Sequence, residues 1–197
     1  AQSLPISKKA AVNLSTVSDK VVLSYLKTTY DKTEKEPDVT IEGLVKDTDY
    51  SVTYTNNVNA GTATVTIVGM NDYVGTLYQY FTIEPAKMTG VSVHGYKGTY
   101  DESSHTITLD GVPEGAVVTY ASEESGIYSE MKPDRRSAGT TTVYYKIKKA
   151  NYEELKGCIK IVIEAAPIAE KKVELSDVSY VYDGTAKSPN VAIAGMI

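Results

Sequence analysis

Residues 56–67 read NNVNAGTATVTI, and their pattern decides the fold. Asn56, Asn57 and Asn59 tolerate tight or left-handed backbone, because their short amides hydrogen-bond the local chain. Gly61 adds a position with no Cβ to clash. From Thr62 the side chains alternate, with Ala63, Val65 and Ile67 on one face and Thr62, Thr64 and Thr66 on the other. A period of two marks a half-buried strand, and β-branched Thr suits its outer face. A second version, SAGTTTVYYKI, stands at 137–147. There Thr141, Val143, Tyr145 and Ile147 share a face, and Thr142, Tyr144, Lys146 and Lys148 share the other. A turn feeding an alternating strand, twice over, predicts a chain of repeated β units.

The repeat is explicit elsewhere. Residues 19–43 (DKVVLSYLKTTYDKTEKEPDVTIEG) align without a gap on 171–195 (KKVELSDVSYVYDGTAKSPNVAIAG), with 12 of 25 positions identical. The offset of 152 equals two units of about 76 residues, a spacing that fits tandem domains, and Tyr100-Asp101 marks the unit between them. The expected organisation is an extension at 1–18 with an edge strand near 10–14 and a turn at 15–19. A first repeat follows at 19–86, a second at 87–166, and a third is begun at 167–197. Strands are expected near 21–30, 37–42, 50–55, 61–68 and 77–84, then near 91–94, 106–110, 116–121, 140–148 and 157–164. Glu84-Pro-Ala-Lys87 and Glu164-Ala-Ala-Pro167 read as linkers, since proline removes a ladder donor and ends a strand. Residues 122–139 read as one long polar loop, a length associated with function or mobility. Two strands alone do not make a stable domain, so the tail at 171–195 is expected to seek a partner, by exchange into another copy or by edge augmentation.

Composition narrows the function. The 197 residues carry a net charge of −5 with both signs interspersed, and the absence of a basic stripe argues against nucleic acid. No apolar run is long enough to span a membrane as a helix. The chain opens at Ala1-Gln2-Ser3 without a signal-peptide pattern, which predicts a mature end or an excised segment. Tyrosine occurs 16 times, phenylalanine once and tryptophan never. No long stretch has helical period, so the class is all-β. Cys158 is the only cysteine, which rules out a disulfide within the chain. Ile159, Ile161 and Ile163 set the inward phase of its strand and place Cys158 outward beside Lys160.

Three kinds of site can be weighed. His94 and His105 are the only histidines, and His105 lies close to Asp101, Ser103 and Ser104. A catalytic triad needs nucleophile, base and orienter in defined positions, whereas these residues share one turn. A turn network with Asp101 accepting backbone N–H groups is the expected outcome, and no catalytic residue is assigned. Asp47, Asp49, Asn71 and Asp72 stand at turns and could offer oxygens to a hard cation, but no calcium-loop spacing is present, so no metal or other cofactor is assigned. Tyr78, Tyr80 and Tyr144 fall out of phase with the core and form a possible outer binding face. Glu124 and Tyr128 in the long loop complete that candidate surface. Aromatic faces can stack on sugars or hold a protein, and they can equally serve cross-strand packing.

Tyr182-Asp183-Gly184-Thr185 with Pro189, the stretch DYSVTYTNNVNAGTATVTIVGMNDYVGT at 49–76, and YKGTYDESSH at 96–105 resemble the short Ig-like repeats called MBG or YDG domains. These occur in tandem in large secreted or wall-attached proteins of Gram-positive bacteria, the Firmicutes especially. The resemblance covers nearly all of 19–195. It departs at Tyr30-Asp31-Lys32, where glycine would follow Asp, and at Tyr152-Glu153-Glu154, which replaces the pattern of Tyr73-Val74-Gly75. Both departures are expected to alter turns rather than the fold. The resemblance implies tandem Ig-like antiparallel β-sandwich domains, an extracellular location, neighbouring domains of the same polypeptide as partners, and no catalytic residues. The expected role is a spacer or stalk, with an adhesin-type module for host or cell-wall protein or glycan as the alternative. A Lys–Asn isopeptide cross-link, known in some such surface domains, would need an inward lysine, and the strands show none.

Overall fold

The computed structural model describes residues 10–167, 172–177 and 179–193. The expectations for 1–9, 168–171, 178 and 194–197 lie outside the described residues. The described chain is nearly all β, in several small sheets of a β-sandwich type. Two compact units are distinguishable. The first holds 10–92 with 109–119 and 145–157, and the second holds 93–108, 120–144 and the described residues from 158 onward. The grouping assigns 109–119 and 145–157 to the first unit, whereas the expected second repeat runs unbroken from 87 to 166.

The first unit opens with β1 (Val12–Asn13), a 3-10 segment (Leu14–Lys20), β2 (Val21–Leu23), β3 (Lys27–Thr29) and β4 (Val39–Ile41). It continues with β5 (Tyr50–Thr55), β6 (Gly61–Gly69), β7 (Tyr73–Val74) and β8 (Thr76–Glu84). One sheet has the order β3-β8-β6-β5, and β2 pairs with β4 in a separate two-stranded antiparallel sheet. Ala63, Val65 and Ile67 are fully buried, as the alternation predicts. They join Phe81 and Ile83 from β8, Tyr50 from β5, Val39 and Ile41 from β4, and Leu14 in a single core cluster.

Two expectations are corrected here. The strand read at 21–30 is broken, because its halves belong to different sheets. Ser24 N donates to Asp38 O at 2.8 Å, and Asp38 N donates to Ser24 Oγ at 2.9 Å, which ends the pairing with β4. Two residues later Leu26 O accepts from Thr82 N at 2.9 Å, and the chain has joined β8. Corners of sandwiches are made by strands that switch sheets in this way. The turn read at 15–19 lies within the 3-10 segment, which is interrupted at Val17. Asn13 caps it by accepting from Ser15 N at 2.9 Å, and its first residue, Leu14, plugs the core.

The remaining strands are β9 (Ser92–His94), β10 (Tyr96–Thr99), β11 (His105–Thr106), β12 (Thr108–Asp110), β13 (Val117–Ala121) and β14 (Asp134–Arg135). After them come β15 (Gly139–Lys148), β16 (Leu155–Glu164), β17 (Val173–Leu175) and β18 (Val191–Ile193). A second four-stranded sheet has the order β10-β16-β15-β13, the same arrangement as β3-β8-β6-β5. Ile161 and Ile163 are buried and Cys158 is exposed, in the predicted phase.

Not every pairing is antiparallel. β3 runs parallel to β8, with Thr28 opposite Ile83, and β10 runs parallel to β16, with Gly98 opposite Ile163. The flanking contacts repeat as well. Tyr30 N donates to Glu84 O at 2.9 Å and Tyr100 N to Glu164 O at 2.8 Å. Lys27 pairs with Glu84 at 3.4 Å and Lys97 with Glu164 at 3.2 Å.

Tyrosine hydroxyls tie down the β4 segment. Tyr50 Oη donates to Val39 O at 2.9 Å, and Tyr54 Oη donates to Pro37 O at 2.6 Å. Burial raises both phenols above their ordinary values. Removing the first hydroxyl leaves a buried carbonyl unpaired, a loss of about 1–3 kcal/mol. Tyr50→Phe is therefore expected to lower the unfolding free energy, read by denaturant titration, by that amount. Tyr78→Phe, on the exposed face, should stay within about 0.5 kcal/mol. Equal effects of the two would refute the assigned role of the Tyr50 hydroxyl.

Candidate functional site

A local device recurs three times: an aspartate, a hydroxyl residue two positions on, and a cation or histidine four positions on. Asp31 Oδ1 accepts from Thr33 N at 2.9 Å and from Thr33 Oγ1 at 2.6 Å. Its other oxygen meets Lys35 Nζ at 2.5 Å. Asp183 makes the same bonds with Thr185 N at 3.0 Å and Thr185 Oγ1 at 2.6 Å, and pairs with Lys187. Asp101 accepts from Ser103 N at 2.9 Å and faces His105 Nε2 at 2.9 Å. The residue after each aspartate has positive φ: 74° at Lys32, 68° at Glu102 and 81° at Gly184. Lys32 thus adopts the backbone that glycine adopts at Gly184, so the lysine at this position does not change the turn. Gly75 has φ 94°, and a Cβ there would meet Asn13 Oδ1 at 2.8 Å. The turn before Tyr152 keeps a positive φ at Asn151 (69°), as the one before Tyr73 does at Asn71 (55°), but no residue of 152–154 matches Gly75.

The spacing Asp-x-[Ser/Thr]-x-[Lys/His] was visible in the sequence as a signal beyond the Tyr-Asp pair. Lys35 is the residue that strand-phase reading misses. It is buried, at 9 % exposed, in the loop before β4. Its Nζ also donates to Thr33 Oγ1 at 2.9 Å. The Asn57 amide reaches the Lys35 backbone carbonyl at 3.2 Å.

His105 lies flat on Tyr96, with ring centroids 3.7 Å apart and planes 10° from parallel. The Ser104 hydroxyl donates to Asp134. Serine and histidine therefore engage different carboxylates, an arrangement that structures a turn rather than lining up a nucleophile with a base. Asp49 Oδ2 accepts from Val45 N at 2.7 Å, and Asn71 Nδ2 donates to Thr48 O at 2.7 Å. Among the described residues no three His, Cys, Asp or Glu side chains come together.

The candidate binding residues fall into separate groups. Tyr78 and Tyr80 are each 57 % exposed on β8, opposite Thr66 and Thr64 of β6. They form a tyrosine–threonine outer face, and such cross-strand pairs stabilise a sheet by about 0.2–1 kcal/mol each. In the second unit Tyr144 is half-buried, out of phase with the buried Val143 and Ile147. Tyr128 is also half-buried and donates to Glu124 O at 3.1 Å, while Glu124 is exposed.

The 122–139 stretch is more ordered than a loop reading implies. Tyr120 and Ser129 exchange backbone bonds of 2.7 and 2.9 Å, and β14 pairs with β11. Thr106 Oγ1 donates to Pro133 O at 2.6 Å, and Arg136 Nε donates to Glu102 O at 2.8 Å. Tyr120, Ala121, Ile127, Met131 and Pro133 help line an open groove of about 370 Å3 there. Ile127 is 96 % exposed at its rim.

The chain matches no protein-family model and no curated protein.

The clasps have an acid signature. Lys35, then Thr33, hold the Asp31 carboxyl well below the usual carboxylate range. Asp101 and Asp183 are lowered by His105 and Lys187 respectively. A carboxylate whose folded pKa is depressed contributes stability that is present above its unfolded pKa. That stability is lost as pH falls through the folded value. Asp31→Asn should therefore flatten the fall in thermal midpoint between about pH 5 and pH 2. An unchanged acid limb would refute the clasp.

Proposed function

We propose that the chain is a non-catalytic spacer module of a larger secreted or wall-attached protein, built from tandem Ig-like units of the MBG/YDG kind. The sequence repeat supports the tandem reading, and the duplicated strand order and parallel closing pairs support it further. In this reading the module displays neighbouring domains outside the cell, and stiffness is what the sequence has to supply.

One observation carries the proposal. Within the first unit the turn at 149–153 is fastened to the stretch read as a linker. Ala86 N donates to Asn151 O at 3.0 Å, and Glu153 N donates to Ala86 O at 2.9 Å. The Asn151 side chain accepts from Ala60 N at 2.9 Å and donates to Asn59 Oδ1 at 2.9 Å. Tyr152 meets Tyr30 edge to face at 5.6 Å, and Lys149 lies over the Tyr152 ring at 5.7 Å. A linker held on backbone, amide and aromatic contacts suits a spacer better than a free hinge does.

A second reading, an adhesin-type module for glycan or protein, draws on the groove beside Ile127. A glycan array probed with the native chain and with Ile127→Asp separates the two readings, since a spacer shows no Ile127-dependent signal.

For the spacer, Asn151→Ala combined with Tyr152→Ala should release the linker. Protease cleavage within 84–88 should then accelerate about tenfold for each 1.4 kcal/mol by which the fastening is weakened. Cleavage at the native rate would count against a fastened linker.

A further inference from the structure

The β17–β18 pair repeats the β2–β4 pair in its local bonding. Val173 is opposite Ile193 and Leu175 opposite Val191. Earlier in the chain by 152 positions, Val21 is opposite Ile41 and Leu23 opposite Val39. Ser176 N donates to Asn190 O at 2.9 Å, and Asn190 N donates to Ser176 Oγ at 3.0 Å. These are the counterparts of the Ser24–Asp38 pair. The Asp183 clasp follows, as the Asp31 clasp does in the first copy. All of these bonds are made between residues of the tail itself.

What differs is whatever requires the later strands of a unit. Val39 and Ile41 are 3 % and 2 % exposed, because β5, β6 and β8 complete one core with them. Of their counterparts, Val191 is 63 % exposed and Ile193 half-buried, and the strand opposite adds Val173 at 57 % and Leu175 at 46 % exposed, where Val21 and Leu23 are half-buried. β3 is held as a strand by β8. Its counterpart, residues 179–181, is not in a strand. Tyr182, the counterpart of the half-buried Tyr30, is 91 % exposed.

We propose that the β17–β18 face is a docking surface for a three-stranded antiparallel sheet of the kind β5, β6 and β8 form. The first unit specifies the occupant. Its inner face presents tyrosine, alanine, β-branched residues and phenylalanine, as Tyr50, Ala63, Val65, Ile67, Phe81 and Ile83 do. Its last strand offers a backbone edge that residues 179–181 take up in parallel. Apolar contact alone would accept many surfaces, whereas the added backbone register demands a sheet edge as well.

The test joins a second copy of residues 44–86 after Gly195, where the gapless offset puts them in frame. Amide exchange at 173–175 and 191–193 should slow by at least about 100-fold relative to the unextended chain. Val191→Asp in the extended chain should cancel that protection. Unchanged exchange at these positions, with 61–69 still protected, overturns the proposal. A second measurement uses the unextended chain. There Val191→Asp should leave the thermal midpoint where it is, while Val39→Asp lowers it. A drop for Val191→Asp would show the face already covered in solution, by a second copy if the midpoint also rises with concentration, and would overturn the assignment.

Discussion

Each closing strand pair joins the beginning of a repeat to its end. Thr28 lies opposite Ile83 and Gly98 opposite Ile163, so neither early strand has its sheet until the last strand of that stretch is in place. Parallel pairs cannot be joined by a tight turn, and here the intervening strands lie between the two partners in the chain. The cost is loop-closure entropy, recovered only when the core cluster forms around Val65, Ile67 and Ile83. The rest of the architecture follows from this closure: the sheet switch at Ser24, the β2–β4 pair over the core, and the tyrosines that bind its backbone.

Beneath that non-local constraint lies a layer that forms without it. The aspartate clasps span four residues and satisfy backbone donors on the spot. They hold a left-handed residue at Lys32, Glu102 and Gly184 alike. The open tail shows how the two layers separate. Its strand pair and clasp are formed, and its inner face lies in solvent. Local hydrogen bonds set the shape of the segment, and burial decides whether that shape is part of a core.

The same division explains what could be read from residues alone. Alternation through Thr62–Ile67 reports the faces of a strand directly, because side-chain direction is a property of the strand itself. Ala63, Val65, Ile67, Ile161 and Ile163 are buried accordingly, and Tyr78, Tyr80 and Cys158 are exposed. The break at Ser24 was hidden, since both halves of 21–30 have strand-like composition and only their partners differ. Leu14 as a core plug, the burial of Lys35 and the stacking of His105 on Tyr96 were hidden too. Each depends on a residue distant in sequence, or on the depth of a loop. Of the candidate surface, the Tyr78–Tyr80 face was legible from phase. The groove beside Ile127 was not, because it arises from the Tyr120–Ser129 bridge and the β11–β14 pairing.

The parallel pairing of β3 with β8 also fixes how the fold answers to force. Tension applied where the chain enters β3 and leaves β8 draws the two strands past one another along their length. The bonds along Lys27–Thr29 and Thr82–Glu84 are then stretched together, in shear, instead of being peeled open one at a time. Force applied at those two points loads the pair that closes the sheet in shear.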